Sequence, residues 1–267
     1  RVTLVSRNRT VLASNQANLG RVAELQDRLA SGRRVEVMSD DPNAARRALM
    51  FRVQRFEGQS YLGNIERSQS FLEASDSAFR QMAEVMDQAK GVAVQGANGT
   101  QDAASRQALA TSVDGILSRL TDLANSVHDG RFIFAGTEVL TQPFVLRADG
   151  SGVDYQGNLD EFAVAISPSE RATVNQDGFT LFKQKVDVFA TLIDLRDALR
   201  ANDPEAVGDL IDTIDTAHEH INNLAGALGG RMQRLELAAA TLRDADTRLG
   251  ELVSREIDAD LAATVME

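Results

Sequence analysis

A heptad seam near the C-terminus constrains this chain more than any other feature. Val207, Leu210, Ile214, Ala217, Ile221, Leu224, Leu228, Arg231, Leu235, Ala238, Leu242, Ala245, Leu249 and Leu252 step by three and four residues. Thirteen of these fourteen positions are apolar, where the whole chain is 43% hydrophobic. Spacing of about 3.5 residues keeps one stripe turned toward a partner helix, which is the pattern of a coiled coil. A helix over 204–262 would be about 90 Å long at 1.5 Å per residue. A compact globular domain has no use for such a length. It predicts a chain that spans a distance or makes assembly contacts.

The rest of the chain supplies partners for that seam. A first helical stretch over 2–31, stopped by Gly32, places Val5, Leu12, Leu19 and Gln26 beside Asn8, Asn15, Val22 and Leu29. Its early part is too polar to pack alone. A second start follows at Ser39-Asp40-Asp41-Pro42, where an oxygen can cap orphan amides and Pro suits the first helical position. From there Phe51, Gly58, Ile65, Leu72, Phe79, Met86 and Ala93 recur every seven residues, predicting a second rod up to Gly96-Ala97-Asn98-Gly99. Thr100 or Asp102 would cap a third helix, carried by Leu109, Val113, Ile116, Leu120, Leu123 and Val127 and ended by Gly130. The core seam is expected at Leu72, Phe79 and Met86 against Ile214, Ile221, Leu228, Leu235 and Leu242, with the two rods antiparallel.

Residues 131–182 change character. RFIFAG, PFVLRA, VDYQG, EFAVAIS and FTLF are short β-branched or aromatic runs, separated by Asp149-Gly150-Ser151-Gly152, Gly157-Asn158 and Asp177-Gly178. They predict a small, mostly antiparallel β module. A shorter helix over 186–200 then leads through Asn202-Asp203-Pro204 into the long rod. The expected fold class is mainly α with a small β insert: a long antiparallel bundle formed by both chain ends, with a β-rich head in the middle. The expected domains are 1–31, a terminal assembly segment; 32–140 with 184–267, a helical rod; and 141–183, a peripheral head. Ile257, Leu261 and Val265 keep the rod's period without a stop signal, so the helix is expected to continue beyond Glu267.

Composition narrows the function. The 28 Lys and Arg against 39 Asp and Glu give a net charge of −11, which argues against nucleic acid as a partner because that binding draws on clustered cations. Cysteine is absent, so no disulfide framework, thiol nucleophile or thiolate metal site can be built. No apolar run approaches the ~18 residues that span a bilayer, and the N-terminal residues hold no apolar signal segment. His218 and His220 are two residues apart on a helix and face different ways, so they do not chelate one ion. Ser39, Asp40 and Asp41 read as helix caps rather than as an acidic metal cluster. Gly96–Gly99 and Gly226…Gly229-Gly230 lack the context of a phosphate loop; the second group reads as a close helix contact, a kink or a break. No enzyme and no cofactor are expected.

Four segments carry a resemblance. LQDRLASGRRVEVMSDDPNAARRAL at 25–49 resembles the flagellin superfamily. QGANGT at 95–100, GRFIFAGTEVLTQPF at 130–144 followed by YQGN at 155–158, and LGGRMQRLE at 228–236 resemble its hook–filament junction branch, the hook-associated protein 3 family. The resemblance implies a structural role in the bacterial flagellum, unfolded export through a type III apparatus without a cleavable signal peptide, and an extracellular location. It implies as partners other copies of the chain in a ring, hook-associated protein 1, flagellin and an export chaperone. Arg33, Arg34, Ser39, Asp40 and Asp41 become the expected cap and assembly positions. A filament flagellin with a reduced head and a secreted helical adhesin or effector are the alternative readings.

Overall fold

The computed structural model describes residues 4–260. Six helices dominate: α1 (Leu4–Ser31), α2 (Pro42–Ala97), α3 (Ala103–Ala124), α4 (Val188–Arg200), α5 (Pro204–Asp209) and α6 (Ile211–Ile257). Between α3 and α4 lie three two-stranded antiparallel pairs. They are β1 (Val127–His128) with β2 (Arg131–Phe132), β3 (Phe144–Leu146) with β4 (Val153–Tyr155), and β5 (Ala163–Ala165) with β6 (Arg171–Thr173). The mainly α architecture with a small antiparallel insert is the one the sequence predicts.

Aspartates set the helix starts. Asp41 Oδ1 accepts from the Asn43 and Ala44 amides ahead of Pro42, and Asp102, Asp187 and Asp203 cap α3, α4 and α5 in the same way. Each satisfies amides that an N-terminal turn leaves without a partner. Gly130 does not end a helix. α3 stops at Ala124, and Asp129 (φ 49°) with Gly130 (φ 73°) forms the two-residue turn between β1 and β2. Positive φ at both central residues matches the right-handed twist of the flanking strands, which favours Asp-Gly there. FTLF is not a strand either: Thr180–Gln184 winds as a π-helical turn. The predicted 204–262 helix is interrupted at Leu210, into α5 and α6, and it does not run on as expected: α6 stops at Ile257, where Asp258 and Ala259 turn to pair with Arg33 and Gly32 instead. Gly226, Gly229 and Gly230 lie within unbroken α6, and a Cβ at any of them would meet open space. Leu261 and Val265 fall outside the described residues.

The chain forms two compact units. Unit 1 takes in the described residues up to Ser60 and those from Ala240 on; unit 2 is 61–239. These units do not follow the boundaries expected at 31/32, 140/141 and 183/184. In unit 1, Arg47 pairs with Glu256 and Arg55 with Asp246; in unit 2, Asp87 faces His218 and Lys90 pairs with Asp215. Ascending α2 numbers against descending α6 numbers show antiparallel packing in each.

The predicted seam is buried through unit 2. Leu72, Phe79, Met86, Ile214, Ile221, Leu228 and Leu235 are all at most 1% exposed. Leu242, in unit 1, is only half-buried. After Leu235 the next buried residue is Ala239, not Ala238. A straight helix at 3.6 residues per turn drifts about 20° per heptad away from a strict seam, so the later positions rotate out of the core. Arg231, the one polar seam residue, is explained by its Nη1, which donates to the Asn175 carbonyl at 2.6 Å.

The β-containing insert shares the core of unit 2. Phe144 of β3 and Phe182 of the π turn lie 5.0 Å apart, and Phe189 of α4 sits 5.3 and 5.0 Å from them. Phe134 joins Phe182 to Phe79 of α2 through edge-on contacts. All five rings are buried to within 1%. A peripheral 141–183 module is therefore the wrong description: two of the five rings at the centre of unit 2 belong to it.

Candidate functional site

In unit 1 the loop after α1 is stitched to the end of α6. Gly32 ends α1 with φ 68°, a left-handed conformation suited to glycine. The Arg34 and Val35 amides both donate to the Ile257 carbonyl, the Ala259 amide donates to the Gly32 carbonyl, and Arg33 bridges Asp258. Arg34 places one guanidinium nitrogen 2.8 Å from the Glu256 carbonyl and another 3.2 Å from Asp41. The candidates Arg33, Arg34, Asp40 and Asp41 are thus brought together in one lock. Asp41 alone caps α2, while Asp40 accepts from the Glu36 and Val37 amides and closes the preceding turn. Ser39 is exposed and its hydroxyl makes no hydrogen bond among the described residues.

This lock is expected to loosen in acid. Backbone amides hold Asp40 below the usual carboxylate range; the Ala44 amide and Arg34 do so for Asp41, Arg47 for Glu256 and Arg55 for Asp246. A carboxyl that is more acidic folded than unfolded contributes stability above its unfolded value, 3.8 for Asp and 4.5 for Glu. That contribution is lost as pH falls through this range toward the lower folded values. Protection from hydrogen exchange over 32–41 and 246–258, taken relative to the intrinsic rate at each pH, is expected to fall from about pH 5 downward. Equal protection at pH 7 and at about pH 3 would show that these contacts carry no stability.

Around the lock, unit 1 leaves apolar side chains in water. Val11, Leu12, Leu19, Val22 and Leu29 of α1 are 41–70% exposed and lie within about 100° of one another at 100° per residue. On α2, Leu49, Met50, Val53 and Phe56 are 49–74% exposed. Exposed apolar rows of this kind mark surfaces that meet another chain. The α2 row was not found by the heptad reading because it lies off the Phe51–Gly58–Ile65 seam. Its signal is the apolar recurrence at 49, 53 and 56.

The segments behind the family resemblance are structural devices. In QGANGT, the Gly96 and Asn98 carbonyls accept from the buried Arg106 guanidinium at 2.8 and 2.9 Å, and a Cβ at Gly96 would collide with Leu199. In GRFIFAGT…YQGN, Gly136 (φ 70°) lies where a Cβ would strike the Asn158 backbone. Asn158 Oδ1 accepts from the Thr137 and Asp160 amides, and its Nδ2 donates to Thr137 Oγ1. Tyr155 O–H contacts the Phe134 and Asn158 carbonyls, and burial, aided by Asp177, pushes its phenol up to about 12, keeping it a donor. These residues were picked by pattern; Arg106 was missed, because a lone arginine in a helix gives no sign that it is buried.

Ser70, His128 and Asp129 do meet in space. Ser70 Oγ is 3.1 Å and Asp129 Oδ2 3.6 Å from His128, but both approach the same Nε2. A catalytic triad needs the carboxylate on Nδ1, opposite the hydroxyl. Among the described residues no group of three or more His, Asp or Glu is placed to hold a metal, and no helix is long and apolar enough to cross a membrane.

Each unit buries apolar residues of its own, and unit 1 leaves apolar helix faces in solvent, the pattern of a surface that meets another chain. The family match agrees: the model of the bacterial flagellin N-terminal helical region matches residues 3–139, and the chain belongs to the bacterial flagellin family. Its role is structural, in the flagellum. It is 22% identical over 241 residues to the flagellar filament 30.7 kDa core protein of Treponema maltophilum, covering 90% of this chain and 80% of that protein. It is 27% identical over 157 residues to flagellar hook-associated protein 3 of Escherichia coli, covering 58% of this chain and about half, 48%, of that protein. The fold matches the crystal structure of hook-associated protein 3 from Legionella pneumophila with a TM-score of 0.70 at 15% identity, covering 77% of this chain and 98% of the other.

Proposed function

We propose that this chain is the subunit that joins the flagellar hook to the filament. The observation that carries the reading is the GRFIFAGT…YQGN block. Gly136 has no room for a side chain beside the Asn158 backbone, Gly157 none beside Tyr155, and Asn158 bonds Thr137 at both ends of its amide, so the motif reflects a specific construction rather than generic helical periodicity. The likeness to a hook-associated protein 3 across nearly all of that structure supports it. In this reading the chain is not an enzyme and needs no cofactor. It leaves the cell through the flagellar export apparatus, guarded by a chaperone, and packs against its own copies, hook-associated protein 1 and flagellin. Residues 1–31 are the terminal assembly segment, and Arg33, Arg34, Asp40 and Asp41 hold the joint that presents the exposed rows of unit 1. The second reading, a filament subunit, is favoured by the longer alignment with the Treponema protein.

Deletion of the gene in the producing bacterium tests this. The expected result is hooks without filaments, flagellin shed into the medium, and antibody label confined to the hook–filament boundary of the wild type. Label along the whole filament would replace this reading with the filament one.

A further inference from the structure

Unit 2 contains a cleft of about 460 Å³ that none of the roles above uses. Its apolar lining includes Phe71 of α2 and Val164 and Val174 of the β5–β6 hairpin region. Two exposed arginines, Arg67 and Arg131, line it against one exposed carboxylate, Asp129, so cations outnumber anions. Arg67 spends one nitrogen on Asn64 Oδ1 at 2.8 Å. The Arg131 guanidinium makes no hydrogen bond or ion pair among the described residues. Such a cleft, within the size of ordinary ligand sites, selects a carboxylate carried on an apolar surface, since guanidinium groups match carboxylates in charge and geometry.

The chain itself offers that chemistry. With a net charge of −11, most of its surface repels another copy, and a cleft where two arginines outnumber one aspartate is where attraction can be localised. On α5 and the first turn of α6, Glu205, Asp209 and Asp212 recur at four and three residues, are exposed, and form no ion pair among the described residues. We propose that the Arg67–Arg131 cleft receives the Glu205–Asp209–Asp212 face of a second copy of this chain. Cleft and acidic face are different surfaces, so the contact is heterologous, and a heterologous contact propagates head to tail until it closes a ring or winds a helix. The proposal rests on the assembly role argued above and adds to it a specific, charge-steered contact in unit 2.

Two measurements in the producing bacterium test it. In the first, the amount of chain in purified flagella is compared for R67E/R131E, for E205R/D209R/D212R and for the five changes combined. Each set alone is expected to lower incorporation about tenfold or more, and the combination to return it to within about threefold, because both partners of the contact are then reversed. In the second, Phe162, which lines the same cleft, is replaced by p-benzoylphenylalanine; irradiation of intact flagella is expected to link it to residues 205–212 of another copy. Normal incorporation of either variant set, failure of the combination to recover, or a cross-link to another protein or another segment overturns the contact. Absence of the wild-type chain from purified flagella would instead strike the junction reading itself.

Discussion

Phe144→Ala is expected to destabilise unit 2 by about 3–5 kcal/mol, the range for removing a fully buried aromatic side chain. Phe144 is 0% exposed, with Phe182, Tyr155 and Phe189 ring centroids at 5.0, 5.1 and 5.3 Å. The change loses the transfer free energy of the ring, leaves a cavity among rigid neighbours, and removes ring pairs worth about 0.5–1.5 kcal/mol each beyond their area. Asn125 limits how far the site can collapse around that cavity. Its side-chain amide donates to the Phe144 carbonyl at 2.8 Å and accepts from the Phe144 amide at 2.9 Å, fixing the backbone of β3 to the end of α3. Leu159→Ala is the control: Leu159 is 59% exposed, and its loss should stay within about 0.5 kcal/mol. Denaturant unfolding followed by far-ultraviolet circular dichroism reads both. Equal stability of the two variants would mean that the aromatic cluster is not the centre of unit 2. By the same argument, excision of 141–183 is expected to unfold unit 2, because it removes Phe144 and Phe182 together.

What was legible in the sequence was whatever repeats. The seven-residue steps from Ile65 to Met86 and from Ile214 to Leu235 report a face that must be buried, and those residues are buried. Asp-Pro at 41–42 and at 203–204 announces a helix start because the chemistry is local, and both starts fall there. Turn residues located the β3–β4 pair at 149–152, but Val127 of β1 was read as part of the third helix and β6 fell in none of the expected strand runs. Phe144 and Phe182 read as strand residues of a separate head because no pattern within 141–183 reveals that Phe79, sixty-five residues before Phe144, lies in the same cluster. FTLF misled for a related reason: an apolar run of four suits strand and helix alike, and the Thr180 amide accepted by Asp177 Oδ1 decides for a helical turn. In the candidate site, Asp41 was legible as part of a helix cap and Arg34 only as one of a basic pair. Their link to Glu256 was not, since contacts over two hundred residues leave no local trace.

Arg106→Met is expected to be the costliest polar substitution, at about 2–4 kcal/mol. Arg106 is 4% exposed and faces no carboxylate within ion-pair distance among the described residues. Removing a guanidinium from water is expensive, several kcal/mol even after relaxation. Three acceptors offset this: Gly96 O at 2.8 Å, Asn98 O at 2.9 Å and Asn202 Oδ1 at 2.6 Å. Hydrogen bonds to a charged group contribute about 1.5–3 kcal/mol each, and two of these acceptors lie at the carboxyl end of α2, whose dipole favours a cation. Methionine has similar length and no desolvation cost, so a gain is conceivable on that count alone. The asymmetry decides the sign, because the carbonyls stay behind without donors in a place Gly96 keeps tight against Leu199. The same three bonds join the end of α2, the start of α3 and Asn202, which sits at φ 55° just after α4. Loss of the cluster should therefore loosen 96–102 and 200–204 together, visible as faster hydrogen exchange in both segments. Arg106→Lys, which keeps the charge but not the fork, should fall between wild type and Arg106→Met. A methionine variant as stable as wild type, with unchanged exchange in both segments, would show that the buried charge is tolerated rather than used.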